Sequence, residues 1–489
     1  MEGRLFRAVQ TAGIFKDSKT FVDAVPKGDP ERILKLYESF RQDDAFSLEA
    51  FVREHFTLPA AAQAPDGDVP PLDTGSLEAY IGSLWPRLER AAEEAPPGGT
   101  LIALTHPYIV PGGRFREIYY WDSYFTFLGL VETGRLDLVE SAVHNLVDLQ
   151  TRLGLIPNGN RHYFTTRSQP PVLSLMVRLL WDERYRDAED GIARTADLVR
   201  ALRAEHAFWS SPTRAVKLPD GTVLSRYWDS ATTPRPEAYA EDRALAQQQR
   251  NPADLYTHLR AAAESGWDFS SRWLKDPAKL ASIRTSDILP VDLNCLLYEL
   301  EQSLVGYLGL LGEADKSAEF AAAAAARKNA IQTKCWDEAR GFYFDYHWRS
   351  GSATDVYSLA GVLPLFTRTA TPEQAAKVKT KLMEDFLKPG GLVTTLHASG
   401  QQWDAPNGWA PLHWFAVCGL QNYGFEAEAK EIATRWLATV RRNFDRDKKL
   451  LEKYDVVNPD KRAAGGEYEV QEGFGWTNGV TLKLLKLYG

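Results

Sequence analysis

AKEIATRWLATV, residues 429–440, sets Ala429, Ile432, Ala433, Trp436 and Val440 three and four positions apart, with Lys430, Glu431, Thr434 and Arg435 between them. This is the spacing of one apolar face on a 3.6-residue helix; a half-buried strand would alternate instead. Outward from this stretch the same pattern recurs, in Val139, Val143, Leu146 and Leu149 and again in Leu297, Leu300, Leu304 and Leu308. About a dozen such segments lie between residue 75 and the C-terminus, and alternating runs are few. The expected class is all-α, and the number of segments suits a double ring of helices.

The 489 residues could hold two or three average domains, but toroidal folds use this length for one core. No apolar stretch approaches the roughly 20 residues that span a bilayer, which argues against a membrane protein. The net charge of -8 comes from 57 basic and 65 acidic residues without a basic block, so no nucleic acid partner is expected. Cys295, Cys335 and Cys418 are odd in number and show no CxxC spacing, which favours buried free thiols over disulfides or zinc. The start, MEGRLFRAVQ, lacks a charged head followed by an apolar segment, so it does not read as a secretory signal.

Aromatic residues make up 11% of the chain, and many stand beside Asp, Glu, Arg or Gly rather than in apolar stripes. Such mixtures suit sugars, whose C–H faces pack on aromatic rings while their hydroxyls bond carboxylates and guanidinium groups. The mixtures fall in long Gly- and Pro-containing connections, where functional residues concentrate. The stretch Leu58 to Pro71, LPAAAQAPDGDVPP, reads as a linker. An N-terminal helical arm with its linker, residues 1–70, is therefore expected to pack on a main body spanning residues 71–489.

Two segments carry the chemistry. PGGRFREIYYWDSYF, residues 111–125, alternates charge with aromatics after a Pro-Gly-Gly turn, and QQWDAPNGWAP, residues 401–411, repeats that mixture. A loop entering an ordinary amphipathic helix explains the glycines but not Arg114, Glu117, Trp121 and Asp122 together. The pair resembles the two signature stretches of the trehalases, PGGRFxExYxWDxY and QWDxPxGWxP. The resemblance continues through RSQPP, PRPE, ESGWDFSSRW, EKYD and GGEYEVQEGFGWTNGV, and reaches back to LFRAVQTAGIFKDSKTFVDAVPK.

The resemblance implies an (α/α)6 barrel, with long loops forming its active-site face, that hydrolyses α,α-trehalose to two glucose molecules with inversion. Carried over residue by residue, the general acid falls on Asp268 and the general base on Glu452. The first would protonate the glycosidic oxygen and the second would activate a water on the opposite face of the sugar. Asp268 would have to keep its proton, which calls for desolvation against Trp267 and Phe269. The substrate-binding positions implied are Arg114, Trp121, Asp122, Asn158, Arg167, Ser168, Gln169, Arg235, Pro236, Glu237, Gly266 and Glu467. Residues 458–467, NPDKRAAGGE, would form a flap carrying Glu467, with a shorter glycine run than the family pattern.

No HExxH, GxSxG, Walker loop or GxGxxG after a strand is present, so neither a metal nor a cofactor is expected. The glycines of QEGFGWTNG read as a close approach of backbone to sugar or of helix to helix. A monomer is expected. The chain begins near the start of a mature secreted form, and Met-Glu-Gly looks appended, which inclines the expected compartment to the periplasm, with the cytoplasm as the alternative. Rival readings are an (α/α)6 glycosidase for another α-glycoside and a non-catalytic trehalose-binding relative.

Overall fold

Residues 429–440 lie in the helix Glu426–Asp447, and all five of their apolar positions are fully buried. The computed structural model describes residues 3–59, 71–92, 94–247, 249–463, 465–466 and 468–489. Among them six helical segments line the inside of a ring: Tyr120–Glu132, Leu173–Leu180, Val291–Leu310, Leu363–Phe366 with the 3-10 turn Leu359–Val362, Ala410–Gln421 and Gly475–Tyr488. Each touches the next in this order and the last returns to the first, so the ring closes. Leu136–Leu153, Gly191–Trp209, Ala314–Lys334, Pro372–Lys381 and Glu426–Asp447 each follow an inner segment, and Leu77–Leu88 backs the last inner helix. The architecture is an (α/α)6 barrel.

The two rings differ in sequence for a simple reason. Inner helices such as Ala410–Gln421 are covered on every side and are apolar all round, whereas outer helices keep a charged face in water. Where the ring closes, the backbones of Tyr120–Glu132 and Gly475–Tyr488 come unusually near one another. A Cβ on Gly479 would stand 2.0 Å from the Phe125 carbonyl oxygen, and one on Gly129 would stand 2.6 Å from Gly479 Cα. Of the two readings of QEGFGWTNG, the approach of helix to helix accounts for Gly479.

The strands are fragments of two or three residues. One pair matters for the site: Asn407–Gly408 runs antiparallel to Tyr454–Asp455, joining two distant loops. The N-terminal segment lays Leu5, Phe6, Phe21, Val22, Phe51 and Val52 against Tyr119, Tyr163, Phe164 and Tyr239 of the barrel loops. A buried ionic cluster fastens it further. Lys19 Nζ pairs with Asp23 and stands 2.9 Å from Glu117 Oε1, and Arg161 Nε donates to the same Glu117 oxygen at 2.7 Å. Most of the sequence-inferred linker, residues 60–70, lies outside the described residues. Cys295 and Cys335 are buried and Cys418 is partly buried; all three are free thiols.

Candidate active site

Five loops converge at one end of the barrel, and their hydrogen bonds explain how. In the loop after the helix Pro252–Ser265, residues 268–271 are gripped by three consecutive residues of the 401–411 stretch. Gln402 Nε2 donates to the Asp268 carbonyl at 2.5 Å, Trp403 N donates to the Phe269 carbonyl at 3.0 Å, and the Asp404 carboxylate accepts from Ser270 Oγ and from Ser271 N and Oγ at 2.7–2.8 Å. The Asn407–Gly408 pairing then brings in the Glu452 loop. Glu452 N donates to the Gln471 carbonyl at 2.9 Å, and Gln471 Oε1 accepts from Arg114 N at 2.8 Å, which draws in the 111–116 turn.

The cleft they surround encloses about 880 Å³, counted out to its open mouth. Its aromatic wall is a stack: Trp403 lies 3.9 Å from Trp409 with rings nearly parallel, and Trp267 stacks on the other side of Trp403 at 5.4 Å. Trp121 and Trp476 abut the stack at about right angles or tilted. Of these rings Trp121, Trp403, Trp409 and Trp476 line the cleft, and Trp267 does not.

The polar lining contains most of the residues inferred from sequence: Arg114, Trp121, Asp122, Asn158, Arg167, Gln169, Arg235, Glu237, Gly266, Asp268 and Glu452. Arg167 donates to Asn158 Oδ1 at 2.9 Å and to Glu237 Oε1 at 2.6 Å, and Gln169 Oε1 accepts from Trp121 N at 3.1 Å. Burial alone would raise the pKa of Glu237, but Arg167, Arg235 and Arg260 outweigh it and hold it below the usual value. Among the described residues the buried atoms Arg167 Nη1 and Glu237 Oε2 meet no hydrogen-bond partner, although Arg167 Nη1 stands 3.7 Å from Asp229 Oδ2. Gly266 ends its helix at φ +73°, and a Cβ there would lie 2.9 Å from Trp121.

Ser168 and Pro236 do not line the cleft. Ser168 is held behind the wall, its N–H donating to Glu264 Oε1 at 2.8 Å, and the Pro236 carbonyl accepts from Gln10 Nε2 at 3.2 Å. Their motif neighbours face the cleft, so they serve the wall's backbone instead. Glu467 lies outside the described residues. Among the described residues of 458–467, the Pro459 carbonyl accepts from Asn443 Nδ2 at 3.5 Å and Arg462 stands 3.4 Å from Asp447, both partners lying on the outer helix Glu426–Asp447.

The acidic groups gather at one end. Glu452 is buried, and its Oε1 accepts from Tyr468 Oη at 2.8 Å. Burial first, then the charges of Glu452 and Asp268, keep the Tyr468 phenol protonated well above its usual range. Asp122, in the first turn of its helix, is pushed up to about 8, chiefly by burial, with Glu452 and Asp268 adding to the effect. Asp268 departs from expectation in its surroundings. Its side chain is 32% exposed and stands 3.9 Å from Arg235 Nη1, while Trp267 turns away to stack on Trp403 and Phe269 lies under the Arg235 guanidinium. Among the described residues no group of three or more His, Cys, Asp or Glu is arranged to hold a metal ion.

Several lining residues were absent from the inferred set: Asp17, Lys19, Gln402, Trp403, Trp409, Tyr468 and Trp476. All lie within stretches that carry the family resemblance, so the signal was present at the level of the segment. Asp17 reaches the mouth from the N-terminal segment, 4.0 Å from Arg114.

The sequence profile of the trehalases matches residues 13–489. The chain belongs to the trehalase family. It is 46% identical to periplasmic trehalases of Salmonella paratyphi B and Salmonella dublin, over 99% of this chain and 85% of each relative. The neutral trehalase of Saccharomyces cerevisiae superposes with a TM-score of 0.69 at 28% identity, covering 86% of this chain and 81% of the yeast protein. A mannosylglycerate hydrolase from Thermus thermophilus shares the fold at 19% identity, with a TM-score of 0.60 over 83% of this trehalase-family chain and 99% of its own. No helix of the described residues is long and apolar enough to cross a membrane.

Proposed function

We propose that this trehalase-family glycoside hydrolase splits α,α-trehalose into two glucose molecules with inversion, Asp268 acting as general acid and Glu452 as general base. The observation that carries the reading is the meeting of these two carboxyl groups in one tryptophan-walled cleft, with Glu452 anchored by Tyr468 and Asp268 open to the cavity. Bound disaccharide fills the cleft and strips water from the exposed third of Asp268, completing its desolvation. Protonated Asp268 then donates to the glycosidic oxygen, while Glu452 takes a proton from a water attacking the far face of the anomeric carbon. Arg114, Arg167, Arg235 and Glu237 hold sugar hydroxyls through charge-assisted hydrogen bonds.

The catalytic unit in this reading is residues 71–489, with residues 1–70 as an arm that adds Asp17 and Lys19 to the cleft. A monomer is part of this reading, and the names of the Salmonella relatives support the periplasm. The test is a proton NMR time course with trehalose, reading anomeric signals before mutarotation. Equal early α- and β-glucose is the expected result. α-Glucose alone would mean retention and would remove Glu452 from the role of base; no glucose at all would leave a binding protein.

A further inference from the structure

We infer that Gln402 and Lys453 are positioning residues that tie the peptide of the general acid to the carboxylate of the general base. The inference rests on the roles just proposed for Asp268 and Glu452. The amide of Gln402 works at both ends. Its Nε2 donates to the Asp268 carbonyl at 2.5 Å, and its Oε1 accepts from Lys453 Nζ at 2.7 Å. Lys453 Nζ in turn stands 3.5 Å from Glu452 Oε2. The bridge is itself rigid, because the Gln402 carbonyl accepts from both Asn407 Nδ2 and Trp409 Nε1 at 3.1 Å.

Lys453 is the residue that makes this more than loop packing. It is fully buried, a position that lysine rarely occupies unless paired. Its ammonium lies 5.0 Å from the Trp409 ring centre and 5.5 Å from that of Tyr468, so it is caged by two aromatic faces, one amide oxygen and one carboxylate. The other groups facing Glu452 are Tyr468, which donates to it, and Asp122, which shares the acidic end of the cleft; the Arg114 guanidinium lies on the Tyr468 ring. Taking away a cation that stands 3.5 Å from a carboxylate disfavours the charged form of that carboxylate. Because the same amide holds the peptide of Asp268, one side chain contributes at both ends of the separation that must admit one water.

The test uses the full chain and two substrates, trehalose and α-D-glucosyl fluoride, whose fluoride leaves with little help from an acid. Gln402→Glu keeps an acceptor for Lys453 but loses the donor to Asp268. Its kcat on trehalose should fall at least about tenfold, equivalent to ~1.4 kcal/mol of transition-state stabilisation, while hydrolysis of the fluoride changes less than about threefold. Lys453→Met should slow both substrates and move the acid limb of kcat/KM to higher pH by about one unit or more, and Lys453→Arg should restore the limb in part. Gln402→Met, neutral and similar in length, should show both effects together and serves if the glutamate variant does not fold. An equal loss on both substrates for the Gln402 variants, or an unmoved acid limb for Lys453→Met, would overturn the inference. Asp268→Asn and Glu452→Gln belong in the same series. If they turn over trehalose, the assignment of acid and base has failed; if they are inactive while the Gln402 and Lys453 variants behave as the parent, only the bridge has.

Discussion

Asp122→Asn should stabilise this enzyme at neutral pH and barely affect its stability in acid. The native structure raises the Asp122 pKa from 3.8 to about 8, with burial as the main cause. Between those two values the unfolded chain has released its proton and the native chain still binds it. Stability therefore falls as pH rises, by ~1.4 kcal/mol for each unit. Over the three units from about pH 4.5 to 7.5 the loss amounts to ~4 kcal/mol, an upper limit because rearrangement around the ionised group reduces it. Asparagine has the same shape and carries no proton to titrate, so its stability lacks this slope.

The assay is thermal unfolding of parent and variant at the two pH values. With ~2.1 cal/mol/K of unfolding entropy per residue, a chain of 489 residues loses or gains about 1 °C in Tm for each ~1 kcal/mol. The variant's advantage in Tm should therefore be up to ~4 °C larger at pH 7.5 than at pH 4.5. An equal difference at both, or a larger one in acid, would refute the claim that the native site holds Asp122 in its neutral form. Turnover should fall in the same variant at both pH values, since Asp122 lines the cleft beside Glu452 and Asp268. A site that gains stability when its function is removed is one whose buried acid is kept for chemistry.

Other perturbations separate the parts of the site. Arg272, buried between Trp267 and Trp273, is held by Asp292 and Asp345 at 2.6–2.9 Å, so Arg272→Met should destabilise by about 3–5 kcal/mol in a denaturant titration by leaving two buried carboxylates without their cation. Glu117 is opposed by burial, but Lys19 and Arg161 outweigh it and hold its pKa down to about 2. Its contribution is present above the unfolded value of 4.5 and is lost as pH falls toward 2, so the N-terminal arm should become protease-sensitive in that window, and Lys19→Met should produce the same sensitivity at neutral pH. Gly266→Ala should raise KM for trehalose and cost about 1–3 kcal/mol, because it places a side chain at φ +73° and against the Trp121 ring. A KM equal to the parent's would show that Trp121 does not contact sugar.

Legibility in the sequence followed the range of the interaction. Ala429, Ile432, Ala433, Trp436 and Val440 announce their helix because the pattern is written within twelve positions and needs no partner to be read. That Gly475–Tyr488 closes the ring on Tyr120–Glu132 is a contact across most of the chain, and only the glycines at 129 and 479 hint at it. The site divides in the same way. Arg114, Asp122, Arg167 and Glu237 stand in motifs and line the cleft, but a motif is contiguous while a cleft wall is not, and Ser168 and Pro236 of the same motifs are outside its lining. Lys453 is hard to read for the opposite reason. A lysine beside a glutamate in EKYD looks like a solvated pair, the usual fate of both residue types. What buries it is Trp409 and Gln402, which reach it only once Asn407–Gly408 pairs with Tyr454–Asp455. The residues hardest to read were thus those whose environment is assembled by loops meeting, and these are the residues that contribute to the separation between the two carboxyl groups.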